Sequence, residues 1–189
     1  MKNFEHRLIL ASNSPRRQQL LREAGFEFEV FVRDFPEDFP GELPADEVAQ
    51  YLAVQKNENY RPLLPDALIL TADTTVILGD RVMNKPANAD EAREMLTSLS
   101  NKTHEVICGV CISSASREIS FSDRTEVTFG SLSPAEIDHY ITTFQPFDKA
   151  GAYGIQEWIG MTKIIRITGS YYNVMGLPTH KVYEALMGF

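Results

Sequence analysis

A buried strand that leads directly into a capped helix is the feature that most constrains this fold. The apolar run Leu8–Ala11 predicts the strand. Ser14 as N-cap, Pro15 as the first helical residue and Gly25 as the end then predict a short helix. The turn between the two elements carries two hydroxyls and two arginines, Ser12, Ser14, Arg16 and Arg17. Backbone N–H groups and the helix dipole favour an anion at such a helix N-terminus.

Phosphate is the anion that this turn suits best, because guanidinium groups bind oxyanions through forked donors. The plainer alternative is a well-capped helix whose arginines are simply solvated. The local pattern supports both interpretations equally, since capping signals are common.

Composition excludes several classes of protein. A length of 189 residues predicts one large domain, or one domain with a smaller lobe. The formal net charge of −8 repels polyanions, so nucleic acid is not an expected partner. No apolar run approaches the roughly 20 residues that span a bilayer, and the first six residues lack the apolar core of a signal peptide. We therefore expect a cytoplasmic protein without a membrane partner.

Hydrophobic periodicity switches between strand and helix along the chain, which predicts a mixed α/β fold. Strands are expected at residues 26–32, 67–72, 104–113, 118–129 and 164–167, with a hairpin at 76–83. Helices are expected at residues 45–57, 90–98, 134–144 and 179–187. Residues 33–44 contain three prolines and a glycine and predict a loop.

Cys108 and Cys111 are the only cysteines, and their spacing is that of half a zinc site or of a redox motif. The surrounding residues predict a strand, in which positions three apart point to opposite faces. The chain has no second cysteine pair to complete a tetrahedral site. Two reduced cysteines within a sheet are therefore expected.

Two polar residues interrupt otherwise apolar elements. Asp73 directly follows the predicted strand 67–72, where a carboxylate is costly unless it is paired or bound to a metal. Its plainer interpretation is a turn cap. Lys56 lies four residues after Leu52 and continues the apolar stripe of its helix, where it binds an anion or extends its ammonium to solvent. A Ser-His-Asp context and a phosphate-binding loop of the Walker type are both missing from the sequence.

Taken in order, these segments resemble the Maf family of nucleoside triphosphate pyrophosphatases, and the resemblance covers nearly the whole chain. The motifs that carry it are Leu10–Arg17, Lys56, Ala72–Thr74, Lys85–Pro86, Glu91–Ala92, Met95–Leu96, Leu99–Ser100, Thr103–His104, Asp148–Gln156, Gly169–Tyr171 and Val174–Pro178.

The resemblance implies an elongated mixed-sheet α/β fold of the Maf and ITPase type, with two lobes around a central cleft and residues 1–189 as a single domain. It implies metal-dependent attack of water between the α- and β-phosphates of a nucleoside triphosphate, which releases the monophosphate and pyrophosphate. The cofactor would be a divalent cation, Mg²⁺ or Mn²⁺. A monomer and a homodimer both stay open.

Site residues follow from the same resemblance. Asp73 matches the catalytic base, and the phosphate-handling positions are Ser12, Arg17, Lys56 and Lys85. Glu37 matches an acidic residue that would hold the metal together with Asp73. Pro36 departs from the family pattern, so the choice between Glu37 and Asp38 stays open.

Three further positions match the members that act on dTTP and UTP, namely Arg16, Thr74 and Gln156. The sibling group, which acts on 7-methyl-GTP, has tryptophan, glutamine and glutamate in these places. An amide at residue 156 can both donate and accept, as the imide edge of thymine or uracil requires. Two other classes stay open at this point: a regulatory nucleotide-binding protein without catalysis, and an interaction module that acts in cell division.

Overall fold

Seven strands form one mixed sheet in the computed structural model, which describes residues 6–189. The strands are β1 (Leu8–Leu10), β2 (Glu29–Val30), β3 (Leu68–Leu78), β4 (Arg81–Met83), β5 (Thr103–Ser113), β6 (Glu118–Phe129) and β7 (Ile164–Thr168). Their order across the sheet is β2-β1-β3-β5-β6-β7, and β4 pairs with β3 outside this path. β1 is parallel to β2 and to β3, whereas the β3–β4 and β6–β7 pairs are antiparallel.

Seven helices accompany this sheet within the described residues. They are α1 (Pro15–Glu23), α2 (Val48–Tyr60), α3 (Ala89–Leu99), α4 (Pro134–Phe144), α5 (Trp158–Lys163), α6 (Tyr171–Met175) and α7 (Thr179–Met187). The predicted α/β class is confirmed. None of the helices in residues 6–189 has the length and apolar character needed to cross a membrane.

The chain divides into two compact units. The first contains the described residues up to 74, together with 108–123 and 176–189, and the second contains 75–107 and 124–175. β3, β5 and β6 each contribute residues to both units, because the division falls within these three long strands.

Three predicted boundaries are wrong. β3 does not end before Asp73 but continues to Leu78, because its last three residues pair with β4. α2 begins at Val48 rather than Ala45, since Glu47 N–H donates to the Pro44 carbonyl in a turn that precedes the helix. The strand predicted at 26–32 is reduced to β2, which pairs with only two residues of β1.

The second unit buries a histidine in its core. His104 Nε2 lies 2.7 Å from the Tyr153 hydroxyl, and its ring stacks on Phe129. Burial lowers the pKa of His104 to about 4, so the ring is neutral at physiological pH. The contact is structural and gives this histidine no acid–base role.

In the first unit, a buried amide fixes α2 on the sheet. Asn57 is 1% exposed, and its Nδ2 donates to the carbonyls of Ile69 and Cys111, each at 3.2 Å. Its Oδ1 accepts from the Ser113 hydroxyl. Because one side chain of α2 thus binds both β3 and β5, the helix has a single rotational setting on the two strands.

Close approach of the α2 backbone to β5 requires a glycine. A Cβ atom built on Gly109 would lie 2.2 Å from the Ala49 carbonyl oxygen, well inside contact distance. Backbone atoms of α2 occupy the position that a side chain at residue 109 would need. Neither α2 nor β5 can move away without breaking the Asn57 hydrogen bonds.

We predict that Gly109→Ala lowers the free energy of unfolding by about 3 kcal/mol or more, at the upper end of overpacking in a core. Urea denaturation followed by circular dichroism measures the change. Gly41→Ala is the matched control, because a Cβ there meets nothing within 4 Å. Equal stability of the two variants would show that α2 can be displaced from β5 at little cost.

Candidate active site

Arg17 lies in the first turn of α1 and joins three parts of the first unit. Its Nε donates to the Gly176 carbonyl at 2.9 Å, and its Nη1 donates to the Ala72 carbonyl at 2.8 Å. Its Nη2 donates to the Thr74 hydroxyl at 3.0 Å. One guanidinium therefore ties α1 to β3 and to the segment that precedes α7.

The turn before α1 is folded by its two serines. Ser14 N–H donates to Ser12 Oγ at 3.2 Å, and Ser14 Oγ accepts from the backbone N–H of Arg17 at 3.4 Å, which confirms the predicted N-cap. Ser12 is 8% exposed and its Oγ also accepts from Arg17 Nη1 at 3.4 Å. Together these contacts use most of the five N–H donors of the Arg17 guanidinium.

Lys56 holds two carboxylates at one point. Its Nζ lies 2.7 Å from Asp73 Oδ1 and 3.1 Å from Glu37 Oε1. The side chains of Lys56 and Asp73 are 15% and 17% exposed, whereas that of Glu37 is 55% exposed. The Asp73 carboxylate is therefore paired, and Lys56 is directed at acidic groups rather than at solvent.

Glu37 and Asp38, between which the sequence leaves the choice open, make different contacts in the structure. Glu37 directs its carboxylate to Lys56, whereas the neighbouring Asp38 contributes its backbone carbonyl to the site's edge, accepting from Gln55 Nε2 at 3.0 Å. Glu37 therefore shares the Lys56 ammonium with Asp73.

The carboxylates of Glu37 and Asp73 are of the ligand type that Mg²⁺ prefers. Within residues 6–189, no three histidine, cysteine or acidic side chains come together as an all-protein metal site. Mg²⁺ is commonly held by one or two carboxylates and completes its octahedron with water and substrate phosphates. Two carboxylates that already share one ammonium supply such a partial set of ligands.

Cys108 closes a ring of hydrogen bonds with Arg17. The Thr74 hydroxyl donates to Cys108 Sγ at 3.4 Å, and the thiol donates to the Gly176 carbonyl at 3.3 Å. Two of the acceptors of Arg17, the Thr74 hydroxyl and the Gly176 carbonyl, are therefore also partners of Cys108. Burial raises the pKa of this thiol to about 11, which keeps it protonated and able to donate. Both cysteines are buried and free, as predicted, but the sequence did not indicate this contact.

The remaining predicted site residues are divided between the two units. Arg16 is the second residue of α1 and is half-buried. Lys85 is exposed and follows β4 in the second unit. Gln156 also belongs to the second unit, where its Oε1 is buried and has no hydrogen-bond partner among the described residues. Within the first unit the structure therefore shows two groups of predicted site residues, one of Ser12, Arg17 and Thr74 and one of Glu37, Lys56 and Asp73.

A family model described as Maf-like protein matches residues 7–189. The chain belongs to the Maf family.

Its relatives within the family are similar over nearly their whole length. A dTTP/UTP pyrophosphatase of Phocaeicola vulgatus is 51% identical over 189 residues, covering 98% of each chain. One of Cytophaga hutchinsonii is 49% identical over 95% of this chain and 82% of its own. One of Parabacteroides distasonis is 46% identical over 98% of this chain and 97% of its own.

We predict that Arg17→Lys lowers the free energy of unfolding by about 2 kcal/mol. A single ammonium cannot reach all the acceptors that the planar guanidinium binds, so buried acceptors are left unpaired. The measurement is urea denaturation at neutral pH. Arg22→Lys in the same helix is the control, since that arginine is exposed and lies over the Phe28 ring. If both variants unfold at the same urea concentration, the three Arg17 contacts contribute nothing to folding.

Proposed function

We propose that this Maf-family chain hydrolyses dTTP and UTP between the α- and β-phosphates, releasing the nucleoside monophosphate and pyrophosphate. The observation that carries the proposal is that Lys56 Nζ binds the carboxylates of both Asp73 and Glu37. Relatives that are 46–51% identical are named dTTP/UTP pyrophosphatases, which supports the same substrates here.

We assign the role of general base to Asp73. Its Oδ1 accepts from Lys56 at 2.7 Å, and we assign the second oxygen, Oδ2, to the attacking water. General bases act within roughly 2.6–3.2 Å of the proton they remove, or through one water. Lys56 fixes the direction of the carboxylate, so that the proton acceptor is held in place before the substrate binds.

A divalent cation, Mg²⁺ or Mn²⁺, would be held by Asp73 and Glu37 and would neutralise phosphate charge while polarising the bond to be broken. Glu37 is the more exposed partner of Lys56 and can leave it readily, because exposed ion pairs contribute only about 0–1 kcal/mol. Lys56 is then released from one of its two carboxylates and can meet a phosphate oxygen.

The substrate carries several negative charges, and the chain as a whole has a formal net charge of −8. We assign phosphate binding to Ser12, Arg17, Lys56 and Lys85, assisted by the backbone N–H groups at the start of α1. Most donors of Arg17 already bind protein acceptors, so its main contribution is to hold this turn and to supply positive charge.

Selection of the base is assigned to Arg16, Thr74 and Gln156. The Thr74 hydroxyl accepts from Arg17 and donates to Cys108, so we assign it to the orientation of Arg17. The buried carbonyl oxygen of Gln156 is an acceptor for the imide N–H of uracil or thymine. We further propose that residues 1–189 act as one catalytic domain in the cytoplasm.

A nucleotide panel with Mg²⁺ or Mn²⁺ tests the reaction. We expect dTTP and UTP to be cleaved with a kcat/KM at least about tenfold above that for GTP or 7-methyl-GTP, because a mismatched base edge leaves buried polar groups unpaired. Chromatography separates the monophosphate, pyrophosphate and orthophosphate. Binding without turnover would favour a regulatory nucleotide-binding protein, and release of orthophosphate would place the cleavage at a different bond.

Asp73→Asn keeps the size of the side chain but removes its basicity. We predict a fall in kcat for dTTP of at least about 100-fold, the range of general base catalysis. Asp80→Asn, in the exposed turn between β3 and β4, is the control and is expected to leave kcat unchanged. Near-normal turnover by a folded Asp73→Asn protein would remove Asp73 from the mechanism.

A further inference from the structure

Three buried side-chain polar atoms of the second unit have no hydrogen-bond partner among the described residues, and one of them is the amide oxygen of Gln156. Gln156 Oε1 is buried, and no donor among the described residues reaches it. Buried polar atoms in native structures are nearly always hydrogen-bonded, so an exception requires a physical reason. An acceptor that is held open for a ligand is such a reason, provided that the surrounding structure keeps it in place.

The backbone around Gln156 is a closed turn. Glu157 N–H donates to the Gly154 carbonyl at 3.1 Å, so that Gly154–Glu157 forms one turn with Gln156 as its third residue. The Glu157 carbonyl then accepts from Gly160 N–H at 3.0 Å and starts α5. Gln156 therefore lies between a tight turn and a helix.

The Glu157 carboxylate is bound at both oxygens. Oε1 lies 3.1 Å from Lys149 Nζ, and Oε2 accepts from the Tyr140 hydroxyl. The side chains of Lys149 and Glu157 are 9% and 18% exposed. The same Tyr140 hydroxyl accepts from Gly154 N–H at 3.0 Å, so one hydroxyl binds both the first and the last residue of the turn.

Gly154 is the residue that admits this carboxylate. A Cβ there would lie 2.8 Å from the Glu157 carboxyl carbon, so the carboxylate rests directly on the glycine backbone. Burial, with the Glu157 carboxylate as a further cause, raises the pKa of Tyr140 and keeps it a phenol donor. None of these groups is used by the proposed hydrolysis.

We infer that Glu157 is a positioning residue for base recognition: held by Lys149 and Tyr140, its carboxylate fixes the Gly154–Glu157 turn so that Gln156 presents its carbonyl oxygen to the imide N–H of a pyrimidine. The inference rests on the proposed function, because uracil or thymine is the ligand. A preorganised acceptor binds its donor better, since no side-chain freedom is lost on binding.

The test compares UTP with 3-methyl-UTP, in which a methyl group replaces the imide hydrogen. For the wild-type chain we expect a UTP/3-methyl-UTP ratio of kcat/KM of about ten or more, the discrimination of one buried hydrogen bond. Glu157→Gln and the isosteric Tyr140→Phe should each lower this ratio at least about threefold, through a higher KM for UTP.

A double variant and a matched control separate positioning from stability. Gln156→Ala should abolish the discrimination, and adding Glu157→Gln to it should change the ratio no further. Glu136→Gln is the control, because that carboxylate caps α4 and pairs with Lys163 in the same unit. We expect Glu136→Gln to lower the melting temperature and leave the ratio unchanged.

The outcomes distinguish the inference from the proposed function. If Glu157→Gln and Tyr140→Phe lower kcat/KM equally for both nucleotides, Glu157 is merely structural and the inference is wrong. If the wild type cleaves UTP but does not discriminate against 3-methyl-UTP, the inference is wrong and the hydrolysis stands. If the wild type does not cleave UTP at all, the proposed function fails and the inference fails with it.

Discussion

The guanidinium of Arg17 is the contact on which the first unit's site depends. It accounts for the position of three segments that are far apart in sequence, because its acceptors lie on Ala72, Thr74 and Gly176. Gly176 has a φ of +119°, a conformation that residues with a side chain rarely adopt, and its carbonyl accepts from both Arg17 and Cys108. A planar fork of donors suits such a convergence of carbonyls better than an ammonium does.

A second constraint acts through neighbours on α2. Asn57 is inserted between β3 and β5, and Lys56 immediately precedes it on the helix. Because the rotation of α2 is set by Asn57, the direction of Lys56 is set as well, and its ammonium meets Asp73 on β3. The Lys56–Asp73 ion pair is thus a consequence of how the helix is buried, and Gly109 supplies the clearance that this burial needs.

Local signals in the sequence were sufficient for the capped helices. Ser14 is an N-cap as predicted, α4 spans the predicted residues 134–144, and the β3–β4 turn falls within the predicted hairpin, where Gly79 adopts a φ of +62°. The course of β3 through Asp73 was not predicted, since a polar residue after an apolar run is also typical of a strand end. The strand continues because pairing with β4 outweighs that local signal.

Long-range contacts explain what else the sequence could not indicate. In the sequence Asn57 is an ordinary polar residue of a helix. Its role in fixing α2 depends on carbonyls of β3 and β5, which the sequence does not place beside it. Lys149 belongs to the motif Asp148–Gln156, yet its partner Glu157 and the Tyr140 hydroxyl lie outside that motif. The family resemblance indicates the candidate residues, and the folded structure shows which of them are in contact.

The thiol in the Arg17 ring has a consequence for redox chemistry. Cysteine reacts with oxidants as the thiolate, and burial raises the pKa of Cys108 to about 11 and that of Cys111 to about 12. Neither sulfur is exposed to peroxide or to glutathione. The ring of hydrogen bonds around Cys108 therefore keeps one pattern when the redox state of its surroundings changes.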